Sequence, residues 1–275
     1  MEDEIAPPPE VLAFYTGFPE ESRLGIGRFR LEFERTKEIL TRTLPPPPAR
    51  VVDVGGAAGT YALWLAGRGY EVHLVDATAR LVDEARRRSA AAASPLASAS
   101  VADGRRLPQP DRWADAVLVM GPLYHLPKDA DRLAALREGF RILERGGVGV
   151  MAAISRYASA LDGLAQRLAR DPRFVAIRNR DLAEGQHRND TGDPAYFTTA
   201  YFHRPEDLRN EMEAAGFADV RILGVEGPGW ILSDFDARWE DPGLRWDLIE
   251  VAQALEEEPA VLGASAHLLG IGRKP

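Results

Sequence analysis

The segment VVDVGGAAGT, residues 51–60, carries the strongest chemical signal in the sequence. It places small residues where an apolar strand gives way to a helix. Small residues let a ligand approach the backbone closely, and the first turn of a helix offers free N–H donors. In a doubly wound sheet, such a turn binds a nucleotide-like ligand at the carboxyl ends of the strands. A merely tight strand–helix turn is the alternative.

Asp76 ends the next predicted strand, 21 residues after Gly55. A carboxylate there can accept hydrogen bonds from ribose hydroxyls, and it can also cap the following helix. The dinucleotide fingerprint G-x-G-x-x-G would need glycine at position 60, where Thr60 stands. The spacing G-x-G-x-G falls on Gly55, Ala57 and Gly59, so only its middle glycine is replaced. The pattern therefore disfavours an NAD-linked oxidoreductase.

Alternating strands and helices must position these residues. Apolar runs predict strands over 51–54, 71–76, 98–103, 115–120, 148–155, 220–227 and 265–274. Helical periodicity or composition predicts helices over 60–68, 79–90, 133–143, 159–170, 205–216 and 234–258. The alternation implies right-handed crossovers. The predicted fold class is α/β, with a doubly wound, mostly parallel seven-stranded sheet, a helical N-terminal cap and inserted lid segments.

Proline clusters at 7–9 and 45–48 bracket the N-terminal part of the chain. Between them, apolar residues recur on one helix face: Phe29, Phe33, Leu40 and Leu44. We expect an N-terminal helical cap over 1–47 and a main domain over 48–275, with insertions at about 156–204 and 228–262. Both insertions are rich in aromatic side chains, which suit a planar or apolar ligand or simply pack the inserted helices.

Composition excludes several classes of protein. The 275 residues contain no cysteine, which removes disulfides, thiolate metal sites and a thiol nucleophile. The net charge of −8 lacks the basic surplus of a nucleic-acid binder. No apolar run is long enough to span a membrane, and the acidic, proline-rich start is unlike a secretory signal. The chain is expected to be cytoplasmic, and a monomer or homodimer.

Five motifs, in this order, resemble those of class I S-adenosylmethionine-dependent methyltransferases: VVDVGGAAGT, EVHLVDAT, VADGRRLP, DAVLVMGPLYHLP and LERGGVGVMAAIS. The resemblance covers residues 50–155 and extends more loosely through YFHRPEDLRNEMEAAGF to the C-terminus. It implies a Rossmann-like fold whose last strand is antiparallel. It also implies S-adenosylmethionine as cofactor and S-adenosylhomocysteine as product. Ala57 departs from the family's usual glycine.

The resemblance implies a cofactor site distributed over four motifs. The methionine part would lie along Asp53, Gly55, Gly56 and Ala57. The ribose and adenine would meet Asp76, Ala77, Thr78, Asp103, Gly104 and Arg105. The sulfonium and the acceptor would be bordered by Met120, Gly121 and Tyr124.

Two residues ahead of the main domain could also serve a cationic cofactor. The face of Tyr15 could stabilise the sulfonium, by roughly 0.5–2 kcal/mol, and Arg23 could pair with the methionine carboxylate. Core packing for Tyr15 and a solvated helix face for Arg23 are the alternatives.

Methyl transfer is an in-line displacement, so positioning dominates and a base is needed only for an acceptor that loses a proton. His125 and His203 are the candidate bases, and His187 lies in the predicted lid. His73 and His267 fall within predicted strands and are expected to be structural. No metal site is expected, because Asn189 and Asp190 alone are weak evidence for one.

The leading hypothesis is a methyltransferase acting on a small molecule, most readily at oxygen. The run Gly121–Tyr124 stands where nucleic-acid amino-methyltransferases carry an Asn/Asp-Pro-Pro-aromatic sequence, so no nucleic-acid or membrane partner is expected. Candidate substrate-binding residues are Tyr124, His187, Tyr201 and Trp230. A non-catalytic S-adenosylmethionine-binding module is the alternative.

Overall fold

The computed structural model describes residues 8–17 and 20–275. Residues 1–7, which include Pro7 and most of the acidic start, lie outside the described residues, as do residues 18–19. The predicted N-terminal cap is therefore described from residue 8 onward, with one interruption.

The described elements follow the predicted alternation closely between residues 50 and 155. The strands are β1 (Arg50–Val54), β2 (Glu71–Asp76), β3 (Ser98–Val101), β4 (Ala114–Val119), β5 (Leu143–Ser155), β6 (Gln186–His187), β7 (Ala200–His203), β8 (Ala218–Gly224) and β9 (His267–Arg273). The α-helices are α1 (Pro9–Gly17), α2 (Glu20–Arg23), α3 (Phe29–Thr43), α4 (Thr60–Ala66), α5 (Ala79–Ala91), α6 (Asp129–Ile142), α7 (Ala158–Ala165), α8 (Pro172–Glu184), α9 (Pro205–Ala215), α10 (Phe235–Glu240) and α11 (Pro242–Leu255).

The main sheet has the strand order β3-β2-β1-β4-β5-β9-β8. The first five strands are parallel, and β9 runs antiparallel to both β5 and β8. This confirms the predicted seven-stranded, mostly parallel sheet. Two short strands add to it, since β7 pairs parallel with the end of β5, and β6 pairs antiparallel with β7.

Helices cover both faces of the sheet. Alternate residues of a strand point to opposite faces, so Val51 packs with Leu65 of α4 in one apolar layer while Val52 packs with Leu136 of α6 in the other. Burial on both faces explains why these strands are nearly continuous runs of valine and leucine. The carboxyl ends of β1, β2 and β4 then meet at one open edge of the sheet.

The region 156–204 is more ordered than the sequence predicts. The predicted helix over 159–170 stops at Ala165, and the rest of the region, for which the sequence predicts no further helix before residue 205, contains α8. Asp171 caps α8 by accepting a hydrogen bond from the backbone N–H of Arg173, and Gly185 ends it with a φ of 74°. The predicted helix over 234–258 is also divided, because Asp241 and Pro242 end α10 and start α11.

Helix α3 contributes directly to the core. Leu31, Ile39 and Leu40 are fully buried, whereas Phe29 and Phe33 of the predicted face are only partly buried. Within the described ranges, no helix is both long and apolar enough to cross a membrane.

Candidate active site

A cleft opens at the carboxyl ends of β1, β2 and β4. It encloses about 1030 Å³, including its solvent-open mouth. Its walls come from the small-residue turn after β1 and from the segments that follow β2, β3 and β4. Predicted site residues that line it are Tyr15, Arg23, Gly55, Gly56, Ala57, Asp76, Ala77, Thr78, Asp103, Gly104, Met120, Gly121, Tyr124 and His125.

The turn after β1 leaves no room for larger side chains. Gly55 has a φ of 75°, and a Cβ there would lie 2.5 Å from Cδ of Pro122. At Gly56 a Cβ would lie 2.6 Å from Oδ2 of Asp53. The backbone N–H of Gly55 donates to the carbonyl of Val75 at 2.7 Å, which holds the turn against β2. These contacts explain the small residues and leave the turn's backbone facing the cleft.

Ala57 adopts a left-handed backbone conformation, with a φ of 48°. This conformation costs an L-residue with a Cβ roughly 1–2 kcal/mol and costs glycine nothing. We therefore expect Ala57→Gly to raise the free energy of unfolding by about 1 kcal/mol, measured by urea denaturation without cofactor. Ala58→Gly is the matched control, since it should destabilise the protein by about 0.5–1 kcal/mol. If both variants lose the same free energy of unfolding, the backbone at position 57 is not strained.

Asp76 holds the turn from the end of β2. Its Oδ2 accepts the backbone N–H of Ala57 at 2.9 Å, and its Oδ1 accepts that of Thr78 at 2.8 Å. Burial raises the pKa of Asp76, although these two hydrogen bonds oppose the rise. The carboxylate of Asp76 therefore lines the cleft and also supports the turn that leads into α5.

Asp53 lies beneath the turn rather than in the wall of the cleft. It is fully buried, and neither carboxylate oxygen has a hydrogen-bond partner among the described residues. Burial, and secondarily the charge of Asp76, raises the pKa of Asp53 to about 7. Among the described residues, Asp53 therefore makes no side-chain hydrogen bond to the turn above it. A positive charge bound above the turn would stabilise its ionised form.

Asp103 closes the opposite side of the cleft and is already paired. Its Oδ1 accepts both the backbone N–H and the Nε–H of Arg105, at 2.8 and 2.9 Å, and its Oδ2 accepts from Nη2 at 2.9 Å. Arg105 also meets Asp131 at 3.2 Å and does not itself line the cleft. Arg105 therefore supports the carboxylate of Asp103 and does not itself contact a ligand in the cleft.

The N-terminal helices cover the cleft. Nη1 and Nη2 of Arg23 donate to the two oxygens of Glu32 at 2.7 and 3.1 Å, and Nε donates to Glu20 at 2.8 Å. Arg23 is therefore neither a solvated helix-face residue nor free of carboxylate partners. It lines the cleft while held by Glu20 and Glu32.

Tyr15 and His125 form a hydrogen bond across the cleft, with 2.9 Å between the hydroxyl and Nε2. Nδ1 of His125 lies 3.3 Å from the carbonyl of Thr199, which can only accept, so Nδ1 carries the proton and Nε2 accepts from Tyr15. Burial lowers the pKa of His125 to about 4. His125 is thus neutral, and its acceptor nitrogen is used to hold α1.

A second cavity, which we call the aromatic chamber, adjoins the cleft through Tyr15, Arg23 and Tyr124. It encloses about 1570 Å³, solvent-open space included. Its ring-bearing walls are Phe14, Tyr15, Phe29, Tyr124, Phe174, Tyr196, Phe197, Phe202 and Trp230. Trp230 and His187 of the predicted substrate set line it. The ring nitrogens of His187 meet Asp181 at 2.9 Å and the carbonyl of Tyr196 at 2.8 Å.

Besides Asp53 and Arg105, two further predicted site residues line neither cavity. His203 is fully buried, with Nε2 3.2 Å from Glu211, and it lines neither the cleft nor the aromatic chamber. The ring of Tyr201 lies under the guanidinium of Arg132, 3.6 Å from its centroid, and it also lines neither cavity. Both residues belong to β7, which the sequence prediction had placed in a lid, and strand pairing there turns them away from the site.

Sequence reasoning missed two residues of the aromatic chamber, Glu226 and His267. Nδ1 of His267 lies 2.5 Å from Oε1 of Glu226 and 3.7 Å from Oε2 of Glu32. From the sequence, His267 is expected to be structural because it falls within a predicted strand. The only signal in the sequence was that an antiparallel last strand starts at the edge where the parallel strands end.

Comparison with known proteins decides the family of the central domain. Residues 51–147 match the family model described as a methyltransferase domain. The chain carries a class I S-adenosylmethionine-dependent methyltransferase domain. S-adenosylmethionine is the cofactor of this methyltransferase domain, and S-adenosylhomocysteine is its product.

Solved structures share the fold across nearly the whole chain. A Pyrococcus horikoshii protein covers 96% of this chain and 99% of its own, with a TM-score of 0.61 and 15% identity. A Mesorhizobium loti S-adenosylmethionine-dependent methyltransferase covers 89% of this chain and 100% of its own, with a TM-score of 0.58 and 19% identity. A Thermotoga maritima protein described as a possible histamine N-methyltransferase covers 97% of this chain and 100% of its own, with a TM-score of 0.56 and 18% identity. At these identities the likeness shows the fold alone. No curated protein matches the sequence significantly.

The residues of the cleft fit the cofactor of the methyltransferase domain. A cradle that a Cβ would fill lies at Gly55 and Gly56. Asp76 presents a carboxylate at the end of β2, and Asp53 supplies a buried carboxylate with no partner among the described residues. A ligand with a ribose matches the carboxylate of Asp76, and the buried charge of Asp53 beneath the turn would favour a cationic amino acid part above it.

Proposed function

We propose that this protein transfers the methyl group of S-adenosylmethionine to a hydroxyl oxygen of a small aromatic molecule. The observation that carries the proposal is the shared wall between the cleft and the aromatic chamber. Tyr124 faces both cavities, and its hydroxyl donates to the carbonyl of Met120 at 2.9 Å, which fixes the ring. An acceptor in the chamber would therefore meet the cleft at the end of β4.

The chain's own residues would hold the cofactor along the cleft. The backbone of Gly55 to Ala57 would follow the methionine part, above the carboxylate of Asp53. Asp76 would accept from the ribose hydroxyls with the lone pairs that Ala57 and Thr78 leave free. Asp103 would accept from the adenine amino group while Arg105 keeps its carboxylate oriented. When bound, the cofactor supplies an electrophilic methyl group on a sulfonium.

The rings around the junction suit a cation and an apolar acceptor. Tyr15 and Tyr124 line the junction, and aromatic faces stabilise a nearby cation by roughly 0.5–2 kcal/mol each. Burial raises the pKa of both phenols, so they stay neutral and add no anion. The helices α1 and α2 close over the cleft, which excludes water and holds the reactants in line.

The aromatic chamber favours a molecule with a flat apolar body. Its ring-bearing walls offer stacking area, and its charged side chains lie in pairs, such as Arg28 with Asp162 at 2.5 Å. Paired charges leave few free ions to recognise a charged substrate, so shape and a single polar group would select the acceptor. This supports a small-molecule acceptor over a nucleic acid.

A matched panel tests both the reaction and the accepting atom. Naphthol, naphthylamine, naphthalene thiol and naphthoic acid share one ring system and differ only in the accepting group. We expect calorimetric binding of S-adenosylmethionine and S-adenosylhomocysteine, and mass-spectrometric detection of the methyl ether of naphthol in excess over the other products. S-adenosylhomocysteine should form in equal amount.

Each other outcome of the panel identifies a different function. A product from naphthylamine alone would move the reaction to nitrogen. Cofactor binding with no product from any acceptor would favour the non-catalytic binding module. Tight binding of NADH in place of S-adenosylmethionine would contradict the proposal altogether.

A further inference from the structure

We propose that His267, oriented by Glu226, is the general base that removes the proton of the acceptor hydroxyl. The inference rests on the proposed function, because only an acceptor that loses a proton needs a base. It replaces His125 and His203, the two histidines that the sequence favoured for this role.

The fold places His267 at the reacting edge of the sheet. It is the first residue of β9 and lies opposite Ile154, near the carboxyl end of β5. Parallel strands bring their ligands to this edge, and the antiparallel β9 starts there rather than ending there. His267 therefore faces the aromatic chamber together with Glu226 and Trp230.

Glu226 fixes the tautomer of His267. Oε1 of Glu226 accepts from Nδ1 of the imidazole at 2.5 Å, and Oε2 accepts from the backbone N–H of His267 at 3.0 Å. Glu226 is buried, so this two-point contact holds the ring in one orientation. With the proton on Nδ1, the other nitrogen, Nε2, is the acceptor, and no hydrogen bond of Nε2 occurs within the part of the chain that the structure describes.

The other pocket histidines lack such a nitrogen. Nε2 of His125 accepts from Tyr15, and both ring nitrogens of His187 are engaged by Asp181 and Tyr196. Among the histidines of the cleft and the chamber, His267 alone combines a carboxylate-held Nδ1 with an uncommitted Nε2 in the described structure. This pairing is the arrangement by which a carboxylate orients a histidine base.

The charges around His267 increase its basicity. The carboxylates of Glu32 and Glu226 raise its pKa above the ordinary value against the opposing effects of burial, which is the largest, and of Arg23. Arg23 faces the group through its pair with Glu32, and Arg35 lies close to Glu226. A histidine whose pKa is raised takes up a phenolic proton more readily than an ordinary one.

Methyl transfer and removal of the proton occur in one step. The acceptor oxygen forms a bond to the methyl carbon while its proton passes to Nε2 of His267. The carbon–sulfur bond breaks, and its electron pair remains on sulfur, so the sulfonium becomes a neutral thioether. The imidazolium, paired with Glu226, later returns its proton to water.

A metal-binding site is the alternative interpretation of the same residues. Ligand atoms of Glu32, Glu226 and His267 lie within 4.8 Å of one another. However, Arg23 makes a two-point ion pair with Glu32, so a divalent cation there would meet a guanidinium at close range. The geometry fits a histidine–carboxylate pair better than a cation site.

Three variants test the base: His267→Ala, His267→Gln and Glu226→Gln. We expect each histidine variant to lose roughly a hundredfold or more in kcat/KM with naphthol. With a nitronaphthol, whose hydroxyl ionises far more easily, kcat/KM of the same variants should fall much less. Imidazole added to His267→Ala should restore part of the activity, and calorimetry should show unchanged affinity for S-adenosylmethionine. His73→Gln is the matched control and should leave the activity unchanged, because His73 lies on β2 with its ring hydrogen-bonded to Ser98 of β3.

The pH profile separates a base from a structural histidine. Because the base must be neutral, kcat/KM of the wild type should rise with pH through the raised pKa of His267. Glu226→Gln removes one anion, so this limb should move to lower pH, and in His267→Ala it should disappear. Nuclear magnetic resonance titration of His267 should give the same raised pKa without any turnover.

Three results would overturn the inference. The first is wild-type turnover of naphthol with no loss in His267→Ala, which would leave the proposed function intact. The second is loss of activity with a chelator and its return with zinc or magnesium. The third is S-adenosylmethionine binding with no hydroxyl acceptor methylated, in which case the proposed function fails and the base fails with it.

Discussion

Replacing Asp76 by alanine is expected to weaken S-adenosylmethionine binding by roughly a hundredfold or more. In the proposed binding mode the ribose hydroxyls lose the carboxylate that accepts their hydrogen bonds, and hydrogen bonds to a charged group contribute about 1.5–3 kcal/mol each. The variant also removes the acceptor of the backbone N–H groups of Ala57 and Thr78, so the turn itself loses its support. Isothermal calorimetry with S-adenosylmethionine and S-adenosylhomocysteine measures the effect.

Asp83→Ala is the control for this prediction. Asp83 lies on α5, the helix that directly follows β2, and makes an exposed ion pair with Arg86. Its loss should leave both affinities unchanged. Thermal melting without cofactor confirms that Asp76→Ala is folded, and Asp76→Asn provides an isosteric second variant. Unchanged affinity in folded Asp76→Ala would remove the central assignment of the cleft.

The cleft could be predicted from sequence because its geometry is local. The turn at 55–59 lies between β1 and α4, and Asp76 ends the adjacent strand, so chain order alone brings them together. Small residues and a carboxylate are the direct requirements of such a turn. The same locality gave the strands of the central sheet, whose apolar runs reflect burial on both faces.

The partners of the acceptor side could not be predicted, because they are distant in the chain. Glu226 and His267 are 41 residues apart. The pairing of β8 with β9 brings them together, and the pairing of β9 with β5 places them in the aromatic chamber. Nothing in the sequence around His267 distinguishes a base from a strand residue. His203 shows the converse case, since its position before α9 suggested the site and the pairing of β7 turned it toward Glu211.

Helix α8 was missed because its buried side is partly polar. Phe174, Ile177 and Asp181 form that side, and the carboxylate interrupts the apolar periodicity. Asp181 is tolerated there because it accepts from Ser159 at 2.5 Å and meets His187 at 2.9 Å. Those partners come from other segments, so the compensation is tertiary and leaves no local signal.

Glu256→Ala is expected to lower the free energy of unfolding by about 1.5–3 kcal/mol, because the buried Arg35 then keeps only Glu38 as a carboxylate partner. Arg35 of α3 is fully buried and donates from Nη2 to Oε2 of Glu256, which also meets Arg42 at 2.6 Å. Burial lowers the pKa of Arg35, and the hydrogen bond and charge of Glu256 oppose that change. Urea denaturation followed by circular dichroism measures the loss.

The neighbouring Glu257 offers a matched control for this pair. Glu257 is exposed and contacts the exposed Arg221, so Glu257→Ala should cost about 1 kcal/mol or less. The double variant Arg35→Met, Glu256→Leu removes both buried charges and should be more stable than Glu256→Ala alone.

Because Arg35 belongs to the predicted N-terminal cap and Glu256 to the main domain, a single cooperative transition that shifts in Glu256→Ala would identify the two as one folding unit. Separate transitions, with only the first affected, would instead support an independent cap.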